Sequence, residues 1–192
     1  MILIDILEEH IEEADFLWQQ RKNALSDRAY NLDDLAELEE RLLAHLDGLV
    51  SGGNEAWKLL EPMLSSGEEG EVFTAAFVAL ASNDPSKIDL VFKTFSDAEG
   101  NVLNGICYAF KHTMNPDVEN ILRALLNSDN ERNLAPIIDS LSFRRVPIDA
   151  AKLQTLLNNK DTQIAAAALR AVGRLRIKQL LEQAERLLDH EV

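Results

Sequence analysis

Residues 162–175 read TQIAAAALRAVGRL, and they open the last of four similar segments of this 192-residue chain. Apolar residues recur through these segments with a period of about 31 residues, close to that of several helical repeat families. Repeat units of this kind bury their apolar faces only by stacking on neighbours. Four sets of positions share the period: Val72, Leu103, Leu134 and Ala165; Ala79, Phe110, Leu141 and Val172; Val91, Leu122, Leu153 and Ala184; Phe95, Leu126, Leu157 and Leu188.

Each segment reads as a helix, a short break and a second helix. Proline lies at or near the start of the second helix in three breaks, where its fixed φ is tolerated. Short polar separators suited to capping follow each pair. Strand patterns are absent, so residues 67–192 are predicted to form an α-solenoid of four antiparallel helix pairs. The breaks are Asn83-Asp84-Pro85, Met114-Asn115-Pro116, Val146-Pro147 and residues 176–178; the separators are Ser96-Asp97, Ser128-Asp129 and Lys160-Asp161.

Residues 1–66 are predicted to form a separate acidic helical module. Apolar residues at three- and four-residue steps predict one helix over residues 2–25 and a second that starts after the N-cap residue Asn31. Two long helices joined by a short loop should pair antiparallel. A third, shorter helix is expected near residues 55–64, and Pro62 should bend it.

The charge is strongly negative and unevenly distributed. The whole chain carries a net charge of −14, of which residues 1–70, with 17 acids and 5 bases, contribute −12. Binding to nucleic acid or to anionic lipid depends on Lys and Arg, so neither is expected as a partner. The sequence also lacks a run of about 18 apolar residues and a recognisable signal peptide. A cytoplasmic protein is therefore expected.

Arg170, Arg174 and Arg176 form the one basic concentration that the sequence shows. The first two lie four residues apart, on one face of a helix. We predict that these arginines contribute to binding an acidic protein partner. The alternative is that acids of the next helix, such as Glu182 and Glu185, already neutralise them.

Three other candidate sites are better explained as structural. His10 and Glu13 have a spacing used in di-iron bundles, but the predicted second helix lacks a matching pair, so no metal is expected. Cys107, the one cysteine, lies in an apolar run without a neighbouring base and is expected to be a buried apolar residue. Trp18 and Trp57 are expected in the core. No catalytic residue and no cofactor are predicted.

Two parts of the sequence resemble known families. Residues 162–175 resemble the short HEAT unit of bacterial scaffold proteins, in which small residues such as Gly173 let helices approach closely. The motifs Phe16-Leu17-Trp18-Gln19-Gln20-Arg21 and His45-Leu46-Asp47-Gly48-Leu49 resemble an uncharacterised bacterial family in which a helical module precedes HEAT-like repeats. That resemblance implies an association with type VI secretion. Its members are longer, and this sequence ends inside its last helix without a capping repeat, which leaves open whether the native chain continues.

A non-enzymatic protein–protein interaction or scaffold module is the leading functional hypothesis, because solenoids present extended surfaces for binding. The rival is a HEAT-like repeat enzyme, either a lyase or a DNA glycosylase. Phosphate-binding loops, nucleophile elbows and zinc motifs are all absent from the sequence, and no small-molecule substrate is evident. A deep polar pocket favours the enzyme, whereas a broad shallow groove favours the interaction module.

Overall fold

The computed structural model describes residues 4–128 and 132–188, and within these ranges it contains helices and no β-strand. The prediction of an all-helical protein is therefore confirmed. Residues 2–3, Asp129, the side chain of Leu188 and residues 189–192, on which parts of the predicted pattern fall, lie outside the described set. The helices are α1 (Ile4–Ala24), α2 (Leu32–Ser51), α3 (Gly53–Leu60), α4 (Glu69–Ala81), α5 (Pro85–Asp97), α6 (Gly100–His112), α7 (Pro116–Leu126), α8 (Leu134–Phe143), α9 (Ala150–Leu157), α10 (Thr162–Leu175) and α11 (Leu181–Leu188).

The chain divides into two compact units, Met1–Asn115 and Pro116–Val192. We call them unit 1, which holds α1 to α6, and unit 2, which holds α7 to α11. The division follows three-dimensional contacts, whereas the boundary expected at residues 66–67 follows the sequence repeat. That boundary stays a prediction.

In unit 1, α1 and α2 form the expected antiparallel hairpin. His10, early in α1, contacts His45 late in α2, and Arg21, late in α1, contacts Glu39 early in α2. Asn31 is the N-cap of α2, as predicted: its side chain accepts from the backbone N–H of the third helical residue, Asp34, whose carboxylate accepts from the N–H of Asn31. This capping box satisfies amides that have no partner inside the helix.

Helix α4 is the centre of unit 1. Every residue from Val72 to Leu80 is buried, as expected of a helix that is apolar on all sides. It packs on α6 at Gly105, where an added Cβ would lie 2.8 Å from the backbone oxygen of Glu69 and 2.8 Å from the Cβ of Val72. Only glycine permits this approach without displacing the neighbouring backbone.

Pro62 ends the third helix instead of bending it. Helix α3 stops at Leu60, and residues Glu61–Ser65 continue as a 3₁₀ helix that holds the proline in its first turn. The missing N–H of proline is tolerated there because the first amides of a helix have no partner inside it.

In unit 2, α10 packs against both α8 and α9. The alanines Ala167, Ala168 and Ala171 face these neighbours and are completely buried. The sequence assigned this role to Gly173, which was wrong: Gly173 is exposed, and an added Cβ would meet no atom within 4 Å. The close helix contact therefore uses the alanine face, which lies on the other side of α10.

The repeat register is visible in the helix boundaries. Helices α4, α6 and α10 begin at Glu69, Gly100 and Thr162, which fits a period of 31 residues, whereas α8 begins at Leu134, three residues later than that period predicts. Leu122, Leu153 and Val172, predicted as core positions, are at most 1% exposed.

The helix after the third break, Val146-Pro147, starts later than the 31-residue period predicts. Pro147 lies three residues before α9, which begins at Ala150, so it is near the start of the helix, as expected, but outside the first turn. The reason is the capping residue: the side chain of Asp149 accepts a hydrogen bond from the backbone N–H of Lys152, 3.0 Å away, and sets the start of the helix.

Candidate functional site

The predicted arginines Arg170 and Arg174 lie together on α10 and share one carboxylate, that of Asp139 on α8. Arg170 donates from Nε and Nη2 to the two oxygens of Asp139, at 3.0 and 2.7 Å. Arg174 donates from Nη1 to the same carboxylate, at 3.0 Å, and to the hydroxyl of Ser142, at 3.1 Å. The two-pronged bond from Arg170 matches the planar geometry of guanidinium and carboxylate.

Asp139 precedes Arg170 by 31 residues, which is one repeat period. The neutralising acid thus lies at the position that the predicted 31-residue period makes equivalent to Arg170. The alternative named Glu182 and Glu185 of the following helix, and neither of them makes an ion pair with these arginines in the described part of the chain. The hydrogen bonds to Asp139 raise the pKa of Arg170, against an opposing effect of partial burial.

Two further arginines adjoin this pair. Arg145 follows the end of α8, and its Nη1 donates to the backbone oxygen of Arg174. Arg176 is exposed and forms the C-cap of α10. Both residues have left-handed backbones, with φ of 61° and 56°. They are again one repeat period apart, so the repeat register could have predicted Arg145 as a member. We call Arg145, Arg170, Arg174 and Arg176, with Asp139, the arginine cluster.

Donors of the arginine cluster remain available. The side chains of Arg170 and Arg174 are 47% and 33% exposed, whereas Asp139 is 20% exposed. Among the described residues, Nη1 of Arg170 and both Nε and Nη2 of Arg174 have no hydrogen-bond partner. Asp139 pairs with Arg170 and Arg174, and no described carboxylate forms an ion pair with Arg145 or Arg176, so the cluster keeps an excess of positive charge. It can therefore bind anionic groups.

His10 on α1 faces His45 on α2. Its Nδ1 lies 3.0 Å from Nδ1 of His45 on α2, which means that one ring donates its N–H and the other accepts. The prediction concerned a second Glu-x-x-His pair on the second helix, and His45 does not supply one, because Leu42 stands three residues before it. Within the described residues, no hydrogen bond joins Glu13 to either ring, and no group of three or more metal-ligating side chains is present. The absence of a bound metal stays a prediction.

Trp18 lies in an aromatic cluster in unit 1. It is 1% exposed, which confirms its place in the core. Its indole stacks on Phe73 at a centroid distance of 3.8 Å and meets Tyr108 edge-on at 4.9 Å. A cavity of about 50 Å³ adjoins the cluster, and His112 is part of its lining. Burial lowers the pKa of His112 to about 4, so this imidazole is neutral near pH 7. The cavity is large enough for a few waters but is well below the roughly 150 Å³ that holds benzene.

The predicted burial of Cys107 is confirmed, whereas Trp57 is less buried than expected. Cys107 is buried, as expected. Trp57 is half-buried, because it lies at the edge of the core and not inside it, with the ammonium of Lys87 5.6 Å from its ring centroid. Lys87 is itself 8% exposed and donates to the side-chain oxygen of Asn54 at 3.3 Å.

Shallow grooves open to solvent run along unit 1. Two of them lie side by side where α5 meets the 3₁₀ helix that follows α3, and each has a volume of about 420 Å³. They share Ser65, Leu90 and Thr94 and have mixed polar and apolar walls. Such grooves are suited to contact with a macromolecular surface and do not enclose a small molecule.

Within the described ranges, no helix has both the length and the apolar composition that a membrane crossing requires. No family model matches this sequence, and the searches of curated proteins and of solved structures gave no significant match.

Proposed function

We propose that this chain is a non-enzymatic interaction module of a bacterial cytoplasmic protein, and that its arginine cluster binds an acidic segment of a protein partner. The supporting observation is the paired presentation of Arg170 and Arg174, which one carboxylate holds side by side while donors of both stay available. A pre-ordered guanidinium pair loses less side-chain freedom on binding than two independent arginines do.

The proposed architecture is an α-solenoid of HEAT-like helix pairs that follows the N-terminal hairpin. The helix starts at Glu69, Gly100 and Thr162 support this proposal, because stacked repeats place equivalent helices at similar intervals, and the start of α8 at Leu134 differs from the expected position by three residues. The resemblance to the bacterial family with HEAT-like repeats supports a scaffold role, which we propose is linked to a secretion system. The shallow, open grooves of unit 1 favour an interaction module over a repeat enzyme.

The test measures binding of a short fluorescent oligoglutamate peptide to this chain by fluorescence anisotropy. A fluorescent oligoglutamine peptide serves as the neutral probe. Replacing both Arg170 and Arg174 by alanine should weaken oligoglutamate binding roughly tenfold, as expected from losing two exposed ion pairs. The matched control is Lys160→Ala with Arg186→Ala, which removes the same charge from exposed positions of unit 2. The control should change the affinity less than about twofold.

The double replacement also leaves Asp139 without its two partners. A third variant, which adds Asp139→Asn, removes that unpaired carboxylate and keeps the test interpretable if the double variant is unstable. If the control variant and the arginine variants lose the same amount of affinity for oligoglutamate, the peptide responds to overall charge alone. Unchanged affinity in the arginine variants, with circular dichroism unaltered, would rule out the proposed site.

A further inference from the structure

The arginine cluster has a counterpart of matching geometry on α1 of unit 1. Asp5, Glu8, Glu9 and Glu12 follow one another at helical steps of three, one and three residues, so their side chains lie on one face. All four are exposed. None of their carboxylates makes a hydrogen bond or an ion pair with a described residue. We call these four residues the acidic face.

The acidic face and the arginine cluster are complementary in charge, and their helical spacing is compatible with pairing. Glu8 and Glu12 are four residues apart on α1, as Arg170 and Arg174 are on α10. Four residues of α-helix span about 6 Å, so two helices lying side by side bring both carboxylates opposite both guanidinium groups. The available donors are Nη1 of Arg170 and Nε and Nη2 of Arg174. A carboxylate accepts two such N–H groups in one plane.

We propose that the acidic face of one copy of this chain binds the arginine cluster of a second copy. This inference rests on the proposed function, because it names the acidic partner of the same site. The two surfaces differ, so the contact is heterologous: each copy keeps one unused acidic face or one unused cluster, and further copies can add in the same way.

The net charge of −14 opposes self-association, but the distances decide which effect is larger. At 0.15 M ionic strength the Debye length is about 8 Å, so charges farther apart than this repel weakly. Carboxylates and guanidinium groups in direct contact are much closer than one Debye length. Near physiological ionic strength the distant repulsion is therefore screened more than the attraction between groups in contact, and that attraction weakens as salt is added.

The experiment is sedimentation velocity on the intact chain over a range of concentrations, at about 0.1 M and about 1 M salt, where the Debye lengths are about 10 Å and 3 Å. The average mass should rise with concentration at the lower salt and fall to that of the monomer at the higher. Two neutralised variants separate the two surfaces. One carries Arg170→Gln, Arg174→Gln and Asp139→Asn; the other carries Glu8→Gln, Glu9→Gln and Glu12→Gln.

Each variant alone should self-associate about tenfold more weakly than the wild type, or not at all. An equimolar mixture should form a complex of one copy of each variant and nothing larger, because the mixture contains one intact acidic face and one intact cluster per pair. The neutralising substitutions leave no unpaired buried charge. If the cluster variant nevertheless unfolds, Arg170→Gln alone replaces it in the same mixing experiment.

Two results would overturn the inference: a wild-type chain that stays monomeric at every concentration, or a mixture that forms no one-to-one complex. In either case the oligoglutamate measurement tests the proposed function separately from self-association. If the peptide still binds the arginine cluster, the proposed function stands and only the choice of a second copy is wrong. If the peptide fails to bind as well, both proposals fail.

Discussion

Leu153 allows the core of unit 2 to be tested quantitatively. Its side chain is 0% exposed in α9, which packs against α10. Replacement by alanine removes three buried carbon atoms, which at about 0.8 kcal/mol each gives a loss of about 2.4 kcal/mol. The cavity that remains adds a further cost, so the total decrease in the free energy of unfolding should be about 2–5 kcal/mol. The matched control is Leu181→Ala, since Leu181 is 44% exposed.

The measurement is a urea titration followed by far-ultraviolet circular dichroism. With a urea dependence of about 1–3 kcal/mol per M, the midpoint of the Leu153→Ala transition should move to lower urea by roughly 0.7–5 M. Tryptophan fluorescence gives a separate signal from unit 1, because Trp18 and Trp57 both lie there. The control should lower the free energy of unfolding by less than about 1 kcal/mol. A loss below about 0.5 kcal/mol for Leu153→Ala would refute the burial of this position.

Further substitutions test other contacts. Gly105→Ala should destabilise unit 1 by about 1–3 kcal/mol, because the new methyl group meets the backbone of α4, whereas Gly173→Ala should stabilise α10 by up to about 1 kcal/mol. In thermal unfolding, Gly105→Ala should lower the melting temperature and Gly173→Ala should raise it. Changes of the same sign in both variants would contradict this interpretation. His112 should titrate near pH 4 by NMR. Because its pKa is lowered on folding, its contribution to stability should be complete above about pH 6.5 and decline towards pH 4, a dependence that His112→Gln should abolish. Asn31→Ala should cost about 1 kcal/mol while Asn31→Asp should cost little, and equal losses would mean that the cap at α2 is unimportant.

Features that depend on local sequence were predictable. The N-cap at Asn31 and the helix start at Pro85 follow from the preferences of single residues, and they appear as expected. The burial of Leu122 and Leu153 follows from the repeat register, because equivalent positions face equivalent neighbours.

Features that depend on the rotation of one helix against another were not predictable. Nothing local distinguishes Gly105, which permits a close helix contact, from Gly173, which faces solvent. The pairing of His10 with His45 likewise depends on how α1 and α2 face each other. The ion pair between Asp139 and Arg170 is an intermediate case, since the repeat period contained the information but only the fold shows that the two side chains meet.

The left-handed backbones of Arg145 and Arg176 have a consequence for protein engineering. A non-glycine residue in this conformation is strained by roughly 1–2 kcal/mol, and glycine relieves that strain. Each position therefore carries an arginine where glycine would make the better helix terminus. Replacing Arg176 by glycine should remove a positive charge while making the turn more favourable, the reverse of the usual loss of stability on substitution. A charge can thus be removed at the end of α10 without a loss of stability, which makes this position a suitable starting point for redesigning the surface.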